Sequence, residues 1–218
     1  MKKNKRVLPK TPWMAESRWS FQPKPLWVIS IALSLFGVGE GLLVLSGLGS
    51  TSWTVLSQGI AQQLGWNIGW ITFITSVVVM LLWIPLRQKP GLGTILNIIY
   101  IALFLGLTVH FLPAPAADDW LLRGVFCVGG VWLIGTASAF YLSCHLGAGP
   151  RDGLMIGLCQ RTGWQVGTVR SILEVSVCLL GWLLGGVVGV GTLLFTFGVG
   201  WVIQFTLAAM AKRYEQAV

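Results

Sequence analysis

Six long apolar stretches constrain this chain more than any other feature, because each is long enough to cross a lipid bilayer. A helix needs roughly 20 apolar residues to span a hydrocarbon core about 30 Å thick. Of the 218 residues, 55% are hydrophobic and 10% are charged, whereas a soluble domain carries about 25% charged residues. We therefore predict an all-α polytopic membrane protein. The stretches are approximately 26–46, 68–86, 92–112, 120–146, 166–188 and 190–211.

Two shorter and more polar segments, 50–64 and 150–162, each follow a Gly-x-Gly sequence. Ser50 is a good N-cap residue, and Pro150 suits the first position of a helix. Both segments are too short to span the bilayer. We expect re-entrant or interfacial helices, and the sequence does not decide between the two.

Residues 47–69 and 147–167 are similar to each other, which indicates an internal duplication. Gly47 and Gly49 match Gly147 and Gly149 at an offset of 100, and the shared frame GxxQxxGWxxG then follows at an offset of 98. Glutamine and tryptophan are seldom placed alike by chance in so apolar a chain. The matching positions in this frame are Gly59, Gln62, Gly65, Trp66 and Gly69 with Gly157, Gln160, Gly163, Trp164 and Gly167.

The distribution of basic residues favours six crossings. If only the long stretches cross, 13 of the 15 Lys and Arg residues lie on the side of the basic N-terminal tail, as the positive-inside rule requires. Each copy then crosses three times, so the second copy is inverted. We predict cytoplasmic tails at 1–25 and 212–218, repeats at 26–115 and 120–211, and a location in the bacterial inner membrane.

Arg151 and Asp152, at the start of the second short helix, are the first candidates for a ligand site. Free N–H groups, the positive helix end and the guanidinium of Arg151 would favour an anion. The corresponding positions of the first copy carry Ser50 and Thr51, which also form hydrogen bonds. The alternative is a cytoplasmic loop in which Arg151 follows the positive-inside rule and Asp152 occupies a favourable first helical turn.

Ionisable residues inside spans are costly and indicate function. Glu40 lies between glycines in the first span without a local partner, so we predict proton coupling or ligand contact there, or else an outer-interface carboxylate reached by water. Arg170 and Glu174 are predicted to form an i,i+4 ion pair.

Gln62 and Gln160 occupy matching positions of the two copies and could face a common axis or form hydrogen bonds between helices. Gly153 and Gly157 are expected to allow close helix packing, as part of the structural motif formed with Gly47, Gly49, Gly147, Gly149 and Pro150.

The sequence contains none of the motifs HExxH, GxSxG or a Walker loop, so we predict no enzyme, no cofactor and no metal site. The four cysteines are scattered without CxxC spacing and are expected to pack as apolar residues. The basic residues lie between apolar spans, which indicates a bilayer rather than a nucleic acid as partner. Homodimerisation is left open.

The segments GAGPRDGLMIGL (147–158) and GWQVGTVR (163–170) resemble the YczE-like family of bacterial integral membrane proteins, grouped with YyaS and YitT. The resemblance covers approximately residues 26–211 and implies an inner-membrane protein with several helical spans, without naming a substrate. Inverted repeats with broken helices recur in transporters. We therefore expect a small-solute transporter or permease. The alternatives are a facilitative channel and a membrane protein that regulates or scaffolds a partner.

Overall fold

The structure is a computed structural model that describes residues 11–164 and 166–214, and this part of the chain is helical without strands. Successive helices are joined by short connections. The helices are α1 (Pro23–Ser46), α2 (Ser52–Leu64), α3 (Ile68–Leu81), α4 (Trp83–Leu86), α5 (Leu92–Phe111), α6 (Trp120–Ser143), α7 (Pro150–Thr162), α8 (Val166–Leu183) and α9 (Val190–Tyr214).

Five helical segments are long and apolar enough to cross a membrane: α1, α3 together with α4, α5, α6 and α9. The chain is therefore a helical membrane protein, as predicted. The remaining predicted crossing coincides with α8, which has 18 residues, so the count of six stays a prediction.

The two short helices form where the sequence predicts them, and both have 13 residues. Pro150 is the first residue of α7, as expected. The N-cap of α2 is Thr51 rather than Ser50, because the Thr51 hydroxyl accepts the Thr54 N–H at 3.2 Å. Both helices end in a left-handed glycine, Gly65 (φ 68°) and Gly163 (φ 72°). The repeated Gly-Trp pair is therefore a C-terminal cap of each short helix.

Helices α1 and α6 form the centre of the bundle and run antiparallel. Gly39 lies against Gly130, and Arg123 near the start of α6 donates to the Ser46 carbonyl at the end of α1, at 2.8 Å. Helix α5 packs alongside α1, and α9 packs alongside α6. Small residues at these contacts let the backbones approach closely, as is common between helices in membranes.

Local structure repeats along the chain at a separation of 98 residues. Gly93 donates its N–H to the Leu146 carbonyl at 2.9 Å, and Gly191 donates to the Leu48 carbonyl at 2.7 Å. Both Gly49 and Gly147 have left-handed φ values, 111° and 119°. In backbone conformation Gly49 therefore corresponds to Gly147, at an offset of 98, and not to Gly149, as the offset of 100 predicted.

The end of the N-terminal segment is packed on the bundle rather than free of it. Trp13 donates its indole N–H to the Ser143 hydroxyl at 2.8 Å, and the Ala15 N–H donates to the Cys144 carbonyl at 3.0 Å. The Leu92 N–H, at the start of α5, donates to the Arg18 carbonyl at 2.8 Å. The segment from Thr11 onward thus contacts both the start of α5 and the end of α6. Residues 1–10 lie outside the described part of the chain.

Candidate functional site

A cavity of about 320 Å³ lies inside the bundle, at the point where the short helices α2 and α7 begin. Thr51 and Trp53 border it from the start of α2, and Arg151 and Asp152 border it from the start of α7. Both helices thus direct the positive ends of their dipoles toward one place. The cavity is a concave, mostly apolar space with a few convergent polar groups, which is the usual form of a small-molecule site.

A buried ion pair joins the two halves of the chain beside this cavity. The Arg151 Nη1 atom lies 3.1 Å from the Glu40 Oε1 atom; the Glu40 side chain is fully buried and the Arg151 side chain is 26% exposed. The Thr51 hydroxyl is a second, longer contact of Oε1 at 3.4 Å. The other carboxylate oxygen of Glu40 has no hydrogen-bond partner among the described residues. Glu40 is therefore a buried charge held mainly by one cation, which is a costly arrangement.

The glycines beside Glu40 explain how a carboxylate comes to be buried there. A Cβ on Gly39 would collide with the Ile134 side chain of α6, and one on Gly41 would collide with Thr108 of α5. Because these residues lack side chains, α1 fits closely between α5 and α6. That fit encloses Glu40, so the water-reached interface carboxylate considered from the sequence does not apply.

Arg151 has a second contact on the opposite short helix. Its guanidinium carbon lies 5.6 Å from the centre of the Trp53 ring, within the range of a cation–π interaction. Trp53 is itself buried, at 6% exposure. Arg151 and Trp53 are 98 residues apart, the separation at which local structure repeats. The Arg151 side chain thus points into the bundle and is not simply an exposed loop residue, whereas the side of the membrane on which it lies stays a prediction.

Asp152 is held by Tyr141 of α6. The Tyr141 hydroxyl accepts the Gly149 N–H at 2.9 Å and donates to the Asp152 Oδ2 atom at 3.2 Å. Tyr141 thereby takes up one backbone donor before α7 and fixes the carboxylate in the first turn of the helix. Tyr141 was not predicted from the sequence, although a hydroxyl-bearing ring inside an apolar span, a few residues before the GAGPRD motif, is a usable signal.

Arg170 and Glu174 of α8 both border the cavity, but the i,i+4 ion pair predicted between them is not formed. Within the described part of the chain, Arg151–Glu40 is the one salt bridge. The prediction failed because it considered only neighbours on the same helix, whereas Asp152 places another carboxylate at the same cavity.

The structure does not bring Gln62 and Gln160 together. Both are exposed, and neither borders the cavity. The Gln160 Oε1 atom accepts the Gln88 side-chain N–H at 2.8 Å. Gln88 lies in the connection between α4 and α5, so this bond joins a helix to a loop and not two helices. The physical reason is that α2 and α7 begin at the cavity and run away from it, so positions near their C-terminal ends diverge.

Several polar groups near the short helices complete the site. Asn97 of α5, Ser76 of α3 and Ser138 of α6 line the cavity and were not identified from the sequence. Ser50 is buried at 1% exposure, and its hydroxyl has no partner among the described residues. No group of three or more His, Cys, Asp or Glu residues suited to a metal ion occurs in the described part of the chain.

Comparison with known proteins places this architecture in a family. A model described as "Family of unknown function (DUF6198)" matches residues 24–208. An "Uncharacterized protein" of Haemophilus influenzae is 57% identical over 97% of this chain and 96% of its own. The "Uncharacterized membrane protein YczE" of Bacillus subtilis is 31% identical over 92% and 90%.

A third relative, the "Uncharacterized protein YyaS" of Bacillus subtilis, is 24% identical over 84% of this chain and 92% of its own. No solved structure matches the chain. The match to the family model covers both short helices and every residue of the cavity. The chain therefore belongs to the DUF6198 family and is a relative of the membrane protein YczE.

Proposed function

We propose that this protein transports a small solute across the membrane and that the solute binds in the cavity beside Arg151. The observation that carries the proposal is the meeting of two half-helix N-termini and a buried ion pair at one cavity. Transporters place their substrates near the bilayer midplane, where discontinuous helices begin. An ionisable pair kept inside the bilayer despite its cost favours a role beyond packing.

An inverted 3+3 repeat with six crossings is part of this proposal. The paired hydrogen bonds at Gly93 and Gly191 support it, and so do the helix contacts, because α1 packs on α5 as α6 packs on α9. In such an arrangement the pseudo-two-fold axis passes between α1 and α6. It relates the α2 start to the α7 start, which explains why both reach the same cavity.

One difference between the two halves, in how α3 packs on α5, favours alternating access. Helix α3 packs along α5, with Asn67 donating to the Gly106 carbonyl at 3.5 Å. Among the described residues, α8 and α9 show no comparable packing, and the cavity is bordered by Glu174 of α8 and Val199 of α9. Under the predicted topology, the closed seam between α3 and α5 faces the periplasm, and the open seam between α8 and α9 faces the cytoplasm.

The alternatives remain a facilitative channel and a regulator or scaffold of another membrane protein. A channel requires a continuous path through the bundle, while the α3–α5 seam is closed here. A scaffold requires no polar site inside the bundle, so the buried Arg151–Glu40 pair favours transport over it.

The test compares a deletion strain with strains that carry Arg151→Lys, Arg151→Ala or Glu40→Gln, at membrane levels matched by blotting. Growth on panels of single carbon, nitrogen and phosphorus sources would identify the solute, and uptake of the labelled solute would measure transport. Lysine keeps the charge but loses the planar fork of donors. A lost charge-assisted hydrogen bond costs about 1.5–3 kcal/mol, so we expect uptake to fall by roughly 10-fold or more.

Arg161→Lys is the matched control, because Arg161 lies on the same helix with its side chain exposed. It should transport like the unmodified protein. Full activity of both Arg151→Lys and Glu40→Gln would contradict the proposed site and favour the regulatory alternative.

A further inference from the structure

The donors of Arg151 are only partly used. A guanidinium carries five N–H donors. The guanidinium of Arg151 uses one nitrogen to donate to one oxygen of Glu40, at 3.1 Å. The remaining donors have no hydrogen-bond partner among the described residues, and the guanidinium group borders the cavity with 26% of its side chain exposed. Arg151 is therefore arranged to hold a second oxyanion, or to exchange Glu40 for one.

Glu40 supplies an independent sign of that exchange. Its Oε2 atom is buried without a partner among the described residues, and the whole side chain is fully buried. If an oxyanion replaced Glu40 on Arg151, the carboxylate would be left buried and without its cation. Such a charge is strongly destabilising, whereas the protonated form is neutral. Loss of the Arg151 contact would therefore be coupled to proton uptake by Glu40.

Other titratable groups on the elements around α1 do not replace Arg151. On α5 and α6, Arg123 donates to carbonyls at the end of α1, Tyr141 bonds to Asp152, and His110 lies in the last turn of α5. Tyr100 and Cys127 lie inside their helices and are not hydrogen-bond partners of Glu40. Among the described residues, the hydrogen-bond partners of the Glu40 carboxylate are Arg151 and Thr51. The remaining titratable groups on these elements and on the N-terminal segment are Cys159, Arg161, Glu16 and Arg18.

Charge around the cavity selects the class of solute. Glu40, Arg151, Asp152, Arg170 and Glu174 carry a formal charge of −1 together, and each helix N-terminus adds about +0.5. The site is thus close to neutral. A monoanion makes it negative, and one proton restores the balance. A dianion taken up with one proton would leave the site negative, and a cation would leave it positive.

We propose that the cavity takes a small monoanion, such as a carboxylate, together with one proton, which is transferred to Glu40 as the anion replaces it on Arg151. This inference rests on the proposed transport function. No bond other than that to the proton is formed or broken. Exchange of the anion and the proton would leave the total charge of the bundle unchanged through the cycle.

The test measures binding to the purified full-length protein in lipid nanodiscs. Formate, acetate and benzoate are the monoanion probes, at pH values at which all three are ionised. Glycine and methylammonium are the zwitterionic and cationic probes of similar size. Tryptophan fluorescence reports on binding, and the signal of Trp53 beside Arg151 is obtained by difference from Trp53→Phe.

We expect at least one monoanion to bind, with an affinity that falls about tenfold per pH unit where one proton is taken up with it. Glu40→Gln should bind the same anion with little dependence on pH, and Arg151→Lys should bind it more weakly. Arg161→Lys should match the unmodified protein.

Three results would overturn the inference: no response to any monoanion, binding of glycine or methylammonium in preference, or an unchanged pH dependence in Glu40→Gln. Measuring uptake by the same protein in liposomes separates this inference from the proposed transport function. Proton-linked binding without uptake would count against transport alone. Uptake without pH-dependent anion binding would count against the proton-linked monoanion alone.

Discussion

The contact between Gly153 and Trp83 gives the sharpest test of the packing that holds α7 at the cavity. A Cβ added to Gly153 would overlap with the six-membered ring of the Trp83 indole. The ring has little freedom to move, because it is 3% exposed and its N–H donates to the Pro150 carbonyl at 3.0 Å. It also packs against Val79 and Leu154. We therefore expect Gly153→Ala to destabilise the fold.

The magnitude follows from three effects. Overpacking a filled core costs about 1–3 kcal/mol, and loss of the indole hydrogen bond costs about 1 kcal/mol. Alanine gains about 1 kcal/mol over glycine in a helix interior, which offsets the second effect. The free energy of unfolding of Gly153→Ala should therefore fall by about 1–3 kcal/mol.

Reversible unfolding in detergent micelles, followed by tryptophan fluorescence, measures this change. Gly129→Ala is the control, since a Cβ at Gly129 on the exposed face of α6 has no neighbour within 4 Å. It should be neutral or stabilised by up to about 1 kcal/mol. If Gly153→Ala unfolded like Gly129→Ala, α7 would not be seated on Trp83 as described.

Three further predictions concern topology, access and the N-terminal segment. With single cysteines in a cysteine-free protein, positions near Asp118 and Gly189 should label from the periplasm and those near Lys89, Gln160 and Lys212 from the cytoplasm; periplasmic labelling at Lys89 would contradict six crossings. Gly106→Val should wedge the α3–α5 seam open, since a Cβ there would approach Asn67 Oδ1 at 2.8 Å. Periplasmic labelling of a cysteine at Ser76 should then increase, and unchanged labelling would argue against this gate. Trp13→Ala should lower the free energy of unfolding by about 1–3 kcal/mol, because it removes the bond to Ser143. Trp19 is 51% exposed, so Trp19→Ala should have little effect, and equal effects would contradict the packing of this segment.

Features with local causes were predictable from the sequence. Apolar length predicted the five helical segments that are long enough to cross a membrane, since a helix must bury its backbone polar groups within itself to cross lipid. The fixed φ of Pro150 predicted the start of α7. The repeated Gly-Trp pair marked the ends of both short helices, because only glycine adopts the left-handed C-cap at low cost. The one-residue error at the start of α2 arose because Ser50 and Thr51 are both good caps.

Features that depend on tertiary structure were not predictable. Glu40 was noticed as a costly residue inside a span and Arg151 as a candidate for binding an anion, but their pairing crosses 111 positions, and no local rule connects them. The i,i+4 rule instead selected Arg170 with Glu174. That rule describes isolated helices, whereas Arg170 and Glu174 border a cavity formed by several helices. Tyr141 and Asn97 were missed for the same reason, because their role depends on the return of the chain at α7.

If the chain arose by the predicted duplication, the pairing of Glu40 with Arg151 marks a point at which the two copies differ. At the 98-residue separation, Glu40 corresponds to Ser138, and Arg151 corresponds to Trp53. If the copies are related by an in-plane axis, the first copy contributes the carboxylate and the second contributes the guanidinium. Two identical copies of the first half would bury two carboxylates without a cation, and two of the second would bury an arginine without an anion. The ion pair can therefore form only when one of each half is present, which accounts for keeping both halves, now different, in a single chain.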